Sequence, residues 1–573
     1  MFRKYYAQEL KNIRELASEF SNAHPSIAPM LEGRSQDPDV ERLLEGMAFI
    51  SGLLREKIDD EFPEITQGLL ELTYPQYLRP IPSCTLFSFV PKVNLMEKIK
   101  IKKGSKIESV QINETPCIFS ITSEIEVFPG YIESVKFEFI PGKTHNIKIK
   151  IKLNNINLSQ LNFDKIRFFL NGSYDDASNL LYLILKNVQT FEIKSFSGEK
   201  QILGNENLVH SGFDENESLI PYPAHAFQGY RILQEYFILP EKFLFIDVTG
   251  LNQWTKRGND DSFEIKFNFP VCQIPFPEIT NNSFALFTAP GINIFDHDAS
   301  PIILDHRQSE YKINPSGNKN KAYEIYSVEK VTGFIQGSVS RKKYVLAARY
   351  TDEKTGSYTI KKKISPVTDE LEVFFSPGYF DQAKVPEKET LSIKLLCSNG
   401  QLPTMLQTGD ISKETYTSPE LCTFRNILPP THPLRPPVKD NLWQYISHMS
   451  INLFSILNKK NLKELLKLYI LPEGTSSKNV EKINKKIDGI LSVKSEKIKI
   501  LYRGTIVRGI RIFILMNSTS FASKGDLYIF GAVLNNFFAT YCAINTFTEL
   551  VVNDEITGEE FKWKPNTGKK HLI

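Results

Sequence analysis

Apolar and polar positions follow different rhythms along this chain, and the changes of rhythm divide it. Over residues 1–80 apolar side chains return every three or four positions: Phe2, Tyr6, Ile13, Leu16 and Phe20, then Val40, Leu43, Leu44, Met47, Ile50, Leu54 and Ile58. That is the period of an amphipathic helix. The spacing predicts a first helix broken by HPSIAP at 24–29, a second within the run Asp37–Ile65, and a third opened by Pro63. Asp37 is placed to cap the second helix, and Pro38 has the fixed φ suited to its first position. Pro75, Pro80 and Pro82 end helical structure.

From Cys84 to about Pro430 the rhythm becomes an alternation, as in NIKIKIKL, SFEIKFNF, ELEVFF and LSIKLLC. Separated by turns such as PGK, NGS and SNG, these segments predict short antiparallel strands in sandwiches or barrels. The run LLYLIL (180–185) is read as one more strand. The helix-like GYRILQEYFILPEKF (229–243) marks a division into two β-rich domains, 81–240 and 241–430. The proline-rich ILPPTHPLRPP (427–437) then leads to a C-terminal α+β domain, 431–573. Helices are expected there at 441–457, 462–470 and 478–491, followed by strands KIKILYR and GIRIFILMN, an uncharged segment at 527–544 and a last strand, TFTELVV. The expected fold is therefore a multidomain α+β chain: an N-terminal helical segment, a β-rich middle and a C-terminal α+β domain.

The uncharged segment 527–544 is somewhat short for a hydrocarbon core of ~30 Å and carries Asn535 and Asn536 at its middle, so a helix buried in a globular domain is expected rather than a membrane span. The N-terminus MFRKYYAQELKNI has basic residues without an apolar run after them, which points to the cytoplasm. Cysteines at 84, 117, 272, 397, 422 and 542 form no CxxC pair and read as buried free thiols. The 69 basic and 66 acidic residues leave a net charge of +3, which supplies no general attraction for nucleic acid. Lysines in stretches such as EKIKIKKGSKI alternate with Ile or Val, as expected on the solvated face of strands.

Catalytic motifs are scarce. The chain has no G-x-S-x-G elbow, Walker-type phosphate loop, H-E-x-x-H or dinucleotide fingerprint. His297, Asp298, Asp305 and His306 would supply metal ligands if a hairpin gathered them, but the same residues are ordinary turn chemistry; no metal and no cofactor is inferred. His432 and His448 are too far apart to add to them. Asp60 and Glu64 have helical spacing, yet Pro63 between them redirects the chain. A carbohydrate-active hydrolase would need two carboxylates facing each other across a cleft, one with a raised pKa. What stands out instead is Asp59, Asp60 and Glu61 at the negative end of the second helix, where each carboxylate costs roughly 0.3–1 kcal/mol. The positive N-terminus of the next helix, or basic residues of a neighbour, would offset that cost.

Several segments, in order, resemble the TssF (ImpG/VasA) family of type VI secretion baseplate subunits: YYAQELKNIRELASEFSNAHPSIA, DPDVERLLEGMAFISGLLREKIDDEFPEITQGLLELTYPQYLRPIPS, RILQEYFILPEKFLFIDVTGL, INIFDHDASPIILDHRQSEYKINP, LPPTHPLRPP and YIFGAVLNNFFATYCAINTFTEL. The resemblance thins over residues 85–205. It implies a non-enzymatic wedge protein in which two TssF copies join one TssG and carry TssK, around the VgrG spike hub. Such wedges dock on the membrane complex at the cytoplasmic face of the inner membrane and prime the contractile sheath. A baseplate protein of another phage-tail-like contractile particle is the neighbouring reading. Within the resembling run, Arg42, Glu45, Asp59, Asp60, Glu61, Phe62 and Pro63 are the expected partner-binding residues. Leu43, Leu44 and Met47 are expected in a helical bundle core, one that can include a partner's helices.

Overall fold

The computed structural model of the chain describes residues 2–23, 38–59, 63–138, 145–223, 226–270, 276–317, 322–335, 341–346, 356–365, 370–378, 388–437, 442–449, 453–470, 477–502, 505–543 and 545–568. Among them the α-helices are α1 (Phe2–Ala23), α2 (Pro38–Asp59), α3 (Pro63–Thr73), α4 (Tyr174–Asn187), α5 (Gln228–Ile238), α6 (Leu442–Met449), α7 (Leu453–Ile456), α8 (Lys459–Lys467), α9 (Ser477–Asp488) and α10 (Lys524–Ala539). The chain forms two compact units. One comprises Met1–Leu78, Lys361–Glu372 and Pro437–Ser447, and the other Arg79–Ile360, Val373–Pro436 and His448–Ile573.

The first unit is helical at its N-terminus, as the 3.6-residue rhythm requires. After α3 the chain tightens into a 3₁₀ turn, Pro75–Leu78, whose four residues are all buried. Residues from later in the chain close on this turn. The Tyr77 ring lies 5.0 Å from that of Tyr445, Gln67 Nε2 donates to the Lys362 carbonyl at 3.3 Å, and the buried Lys362 ammonium donates to the Leu78 carbonyl.

The second unit is built on sheets. In its six-stranded sheet, Cys84–Pro91 lies between Thr288–Ile292 and Cys422–Asn426, both antiparallel to it. This sheet draws strands from both sides of position 240. A five-stranded sheet centres on Ser262–Phe269, paired with His145–Leu153 and Thr190–Ser195. Its alternation is the one expected: Ile147, Ile149 and Ile151 are fully buried. Lys148 and Lys150 between them reach Glu138 and Glu133 instead. A third sheet pairs Glu324–Ile335 with Glu389–Ser398 around a core that includes Val331, Leu391, Ile393 and Leu395.

The structure corrects two expected elements. LLYLIL is the middle of helix α4, not a strand. Leu180 to Ile184 are all buried, and a continuous apolar run reads alike in a buried strand and a buried helix. The decision is made upstream, where the Ser173 hydroxyl accepts from Asp176 N at 3.2 Å and Asp175 and Asp176 occupy the first turn. The helix expected over 478–491 stops at Asp488, and Ile490 already begins the strand Ile490–Tyr502.

That strand forms a long hairpin with Thr505–Met516. Helix α10 then crosses back so that Thr546–Asp554 pairs parallel to Thr505–Met516. The uncharged segment is thus most of α10, with Leu527, Ile529, Phe530, Val533, Leu534, Phe537 and Phe538 fully buried. α10 packs on α4 and α5. Gly525 makes the first approach possible, since a Cβ there would lie 2.1 Å from the Ser178 carbonyl. No described helix is long and apolar enough to cross a membrane.

Candidate partner-binding helices

Helix α2 starts as its sequence dictates, with Pro38 first and Asp39 and Glu41 in the first turn, where the helix dipole favours carboxylates. Asp37, its expected cap, lies outside the described residues. One face of α2 meets α1. Gly52 sits so close that a Cβ would lie 3.1 Å from Tyr6 N, Ala48 is completely buried, Glu41 pairs with Arg14, and Arg55 Nη1 reaches Glu9 Oε1 at 3.2 Å. Tyr6 beside Gly52 and Arg14 beside Glu41 make the two helices run in opposite directions.

Positions 41, 48, 52 and 55 share one side of a 3.6-residue helix, and positions 43, 47, 50 and 54 share the other. On that second side Leu43, Met47, Ile50 and Leu54 are 70%, 58%, 57% and 58% exposed. Their 4-3-4 spacing is that of a coiled-coil seam. Burying four such side chains stabilises an association by roughly 1.5–3 kcal/mol each before ordering costs are counted.

The expected contact residues are distributed around this stripe. Arg42 is exposed on its flank, and Glu45 is exposed on the side of Glu41 and Ala48, opposite the stripe. Arg42 Nη1 lies 3.4 Å from Asp39 in an ion pair whose two side chains are 78% and 84% exposed, a pair of little consequence for folding. Asp59 is the last residue of α2 and Pro63 the first of α3. Asp60, Glu61 and Phe62 lie outside the described residues. Leu43 and Met47, expected in a bundle core, face outward in this chain, whereas Leu44 is half-buried.

The His/Asp constellation is held in other ways. His297 Nε2 lies 2.8 Å from the Ser316 carbonyl, Asp305 accepts from the Tyr311 hydroxyl at 2.8 Å and from Arg307 N at 3.2 Å, and His306 has a φ of 58°. No group of three or more metal-binding side chains converges among the described residues. In a cleft of about 510 Å³, Glu126 meets Lys98 at 3.0 Å and Glu217 meets Arg167 at 2.5 Å. Burial pushes the Glu126 carboxyl up, but Lys98 and Lys100 outweigh it and hold it below its ordinary value, the wrong direction for a general acid. The cysteines are buried thiols: burial pushes Cys117 and Cys422 up to about 11 and Cys397 up to about 12, and Cys84 and Cys542 also rise. Cys272 lies outside the described residues.

Sequence reasoning missed two buried ionic centres. Glu235, wholly buried, pairs with Lys242, receives Arg231 Nη1 at 3.0 Å and accepts from Leu219 N at 2.7 Å. Burial pushes its carboxyl up, while Lys242 and Arg231 bring it below the usual range. The second centre is Asp526 at the start of α10. Its Oδ1 accepts from Lys486 Nζ at 2.8 Å, Tyr174 Oη at 3.0 Å and Tyr236 Oη at 3.1 Å, joining α9, α4 and α5 to α10. The only trace in the sequence is a lone Asp at the head of an otherwise uncharged run.

The family described as "Type VI secretion system, TssF" matches residues 1–570. The type VI secretion system component TssF1 of Pseudomonas aeruginosa is 27% identical over 622 aligned residues, covering 99% of this chain and 98% of that protein. Among solved structures, a chain of the type VI secretion system TssK-TssF-TssG baseplate subcomplex, seen by cryo-electron microscopy, superposes with a TM-score of 0.78 at 27% identity, covering 93% of this chain and 99% of that one. A chain of a second structure, the baseplate complex from the type VI secretion system, shares the fold with a TM-score of 0.63 at 24% identity, covering all of both chains.

Proposed function

Because this chain belongs to the TssF family of the type VI secretion system, we propose that it acts in the baseplate as a structural wedge subunit and not as a catalyst, with the N-terminal helices as its main partner-binding element. The observation that carries this reading is the stripe Leu43, Met47, Ile50 and Leu54, more than half exposed on a helix whose opposite face is already packed. Exposed apolar residues at heptad spacing call for a neighbouring helix. TssG and a second copy of this chain are its proposed occupants, completing a shared bundle. TssK, present with TssF and TssG in the similar subcomplex, is the next proposed partner. Through these contacts the wedge surrounds the VgrG spike hub, is recruited to the cytoplasmic face of the inner membrane, and offers a platform for the sheath. Asp59, Asp60 and Glu61, with Phe62 and Pro63, are proposed to meet basic groups of the same bundle, and Arg42 and Glu45 its rim. No cofactor enters this role.

Co-expression with and without TssG, followed by measurement of complex mass, tests the proposal. A stable complex with two copies of this chain per TssG is expected. A chain that stays monomeric beside TssG overturns the reading.

A further inference from the structure

The hairpin Ile490–Tyr502/Thr505–Met516 runs past the sheet that holds it. Its twelve-residue return strand is paired with Thr546–Asp554 only from Arg508 inward, so beyond that point no third strand covers it among the described residues. Residues directly opposed in an antiparallel pair share a face. On one face of this ribbon the pairs are Lys497 with Ile510, Lys499 with Arg508, and Leu501 with Ile506. Leu501 and Ile506 are 75% and 68% exposed. Lys499 and Arg508 are exposed as well, and opposed like charges on a ribbon repel. Lys497 extends the cationic band toward the ring of Phe454, itself 59% exposed, with its Nζ 5.8 Å from the centroid. Water covers the apolar tip poorly, and an apolar side chain followed by a carboxylate matches both the tip and the doubled cation behind it.

We infer that this face of the ribbon docks an acidic, apolar-anchored segment of a partner protein. The apolar anchor covers Leu501 and Ile506, and its carboxylate bridges Lys499 and Arg508, relieving their repulsion. A protein segment is favoured over an anionic lipid surface because the face is small and mixed: two exposed apolar side chains stand directly beside two exposed cations, a pattern that one apolar side chain and one carboxylate on a peptide match residue for residue. The inference is independent of the helix stripe proposed above.

The test measures binding of three probes to the purified full chain: a short peptide alternating Asp and Leu, its Lys and Leu counterpart, and vesicles containing phosphatidylserine. The acidic peptide is expected to bind about tenfold or more tightly than the basic one, and less tightly as salt rises. L501S/I506S and K499A/R508A are each expected to weaken it severalfold, while Lys494→Ala, on the opposite face, leaves it unchanged. Unchanged circular dichroism excludes misfolding of the variants, whose side chains are exposed at or beyond the end of the three-stranded part. Peptides that bind equally, or not at all, overturn the inference. So does binding insensitive to both double variants, and so does preferential binding of vesicles through the same four residues.

Discussion

Lys486 Nζ lies 2.8 Å from Asp526 Oδ1, and the carboxylate it meets is completely buried. The same oxygen accepts both the Tyr174 and the Tyr236 hydroxyl, while Oδ2 accepts from Ala522 N at 3.1 Å. A buried charge with this many donors is retained because its loss orphans all of them at once.

Asp526→Asn is therefore expected to destabilise the second unit by about 3–5 kcal/mol, because it leaves the Lys486 ammonium without its counter-charge. Lys486→Met alone is equally costly, but the double variant is expected to cost less than the sum. Denaturant titration of the four proteins checks this. Strict additivity would show that the two groups do not act together.

Gly525→Ala places a methyl group 2.1 Å from the Ser178 carbonyl, in backbone that cannot turn aside as a side chain does. A loss of about 1–3 kcal/mol is expected from the forced separation of α10 and α4. Gly558→Ala, at a φ of 68° with no atom near its added Cβ, tests strain alone. Thermal unfolding of both variants separates close approach from backbone conformation.

Met47→Asp with Ile50→Asp replaces exposed side chains, so the unfolding midpoint of the isolated chain is expected to move little. Assembly with TssG is expected to weaken at least tenfold, about 1.4 kcal/mol. Asp60→Lys with Glu61→Lys is expected to do the same if those acids meet a partner. Complex formation undiminished by the second pair would assign the acids to their own chain. Complex formation undiminished by the first would remove the stripe from the interface.

His210 sets a pH dependence. Burial lowers its imidazole pKa to about 4, against which its hydrogen bond with the Phe243 carbonyl works only in part. An unfolded histidine titrates near 6.5, so between about 6.5 and about 4 the unfolded chain binds more protons. Stability is then complete above this window and falls as pH drops through it, by up to about 3 kcal/mol. Glu241, whose carboxyl burial raises, opposes this near the acid end. Denaturation of the native chain and of His210→Gln at pH 7 and pH 5 checks the assignment. A shallower slope in the variant is expected, and equal slopes would place the effect elsewhere.

The helical N-terminus, the β-rich middle and the C-terminal α+β arrangement were legible in rhythm alone. Alternation placed Ile147, Ile149 and Ile151 inward, and the uncharged run became a buried helix because no polar face was available to meet solvent. LLYLIL was misread for the same physical reason in reverse. An element buried on every side has no periodicity to reveal it, and the Ser173 cap with Asp175 and Asp176 was the only local signal. The N-terminal stripe was visible as a periodic pattern, but a pattern does not say whether its apolar side is covered by its own chain. Gly52 against Tyr6 and Ala48 against α1 show that the covered side is the opposite one.

The sequence by itself determined most of the elements and, through collinear family segments, the family, since both depend largely on local order along the chain. Only the tertiary structure decided which distant residues meet. Cys84–Pro91 lies between strands that follow far along the chain, Glu235 binds the Lys242 and Arg231 of its own segment in a fully buried knot, and Asp526 gathers donors from three other helices. Those pairings depend on burial and on the cost of an unpaired polar group within it. Neither quantity exists until the chain has packed.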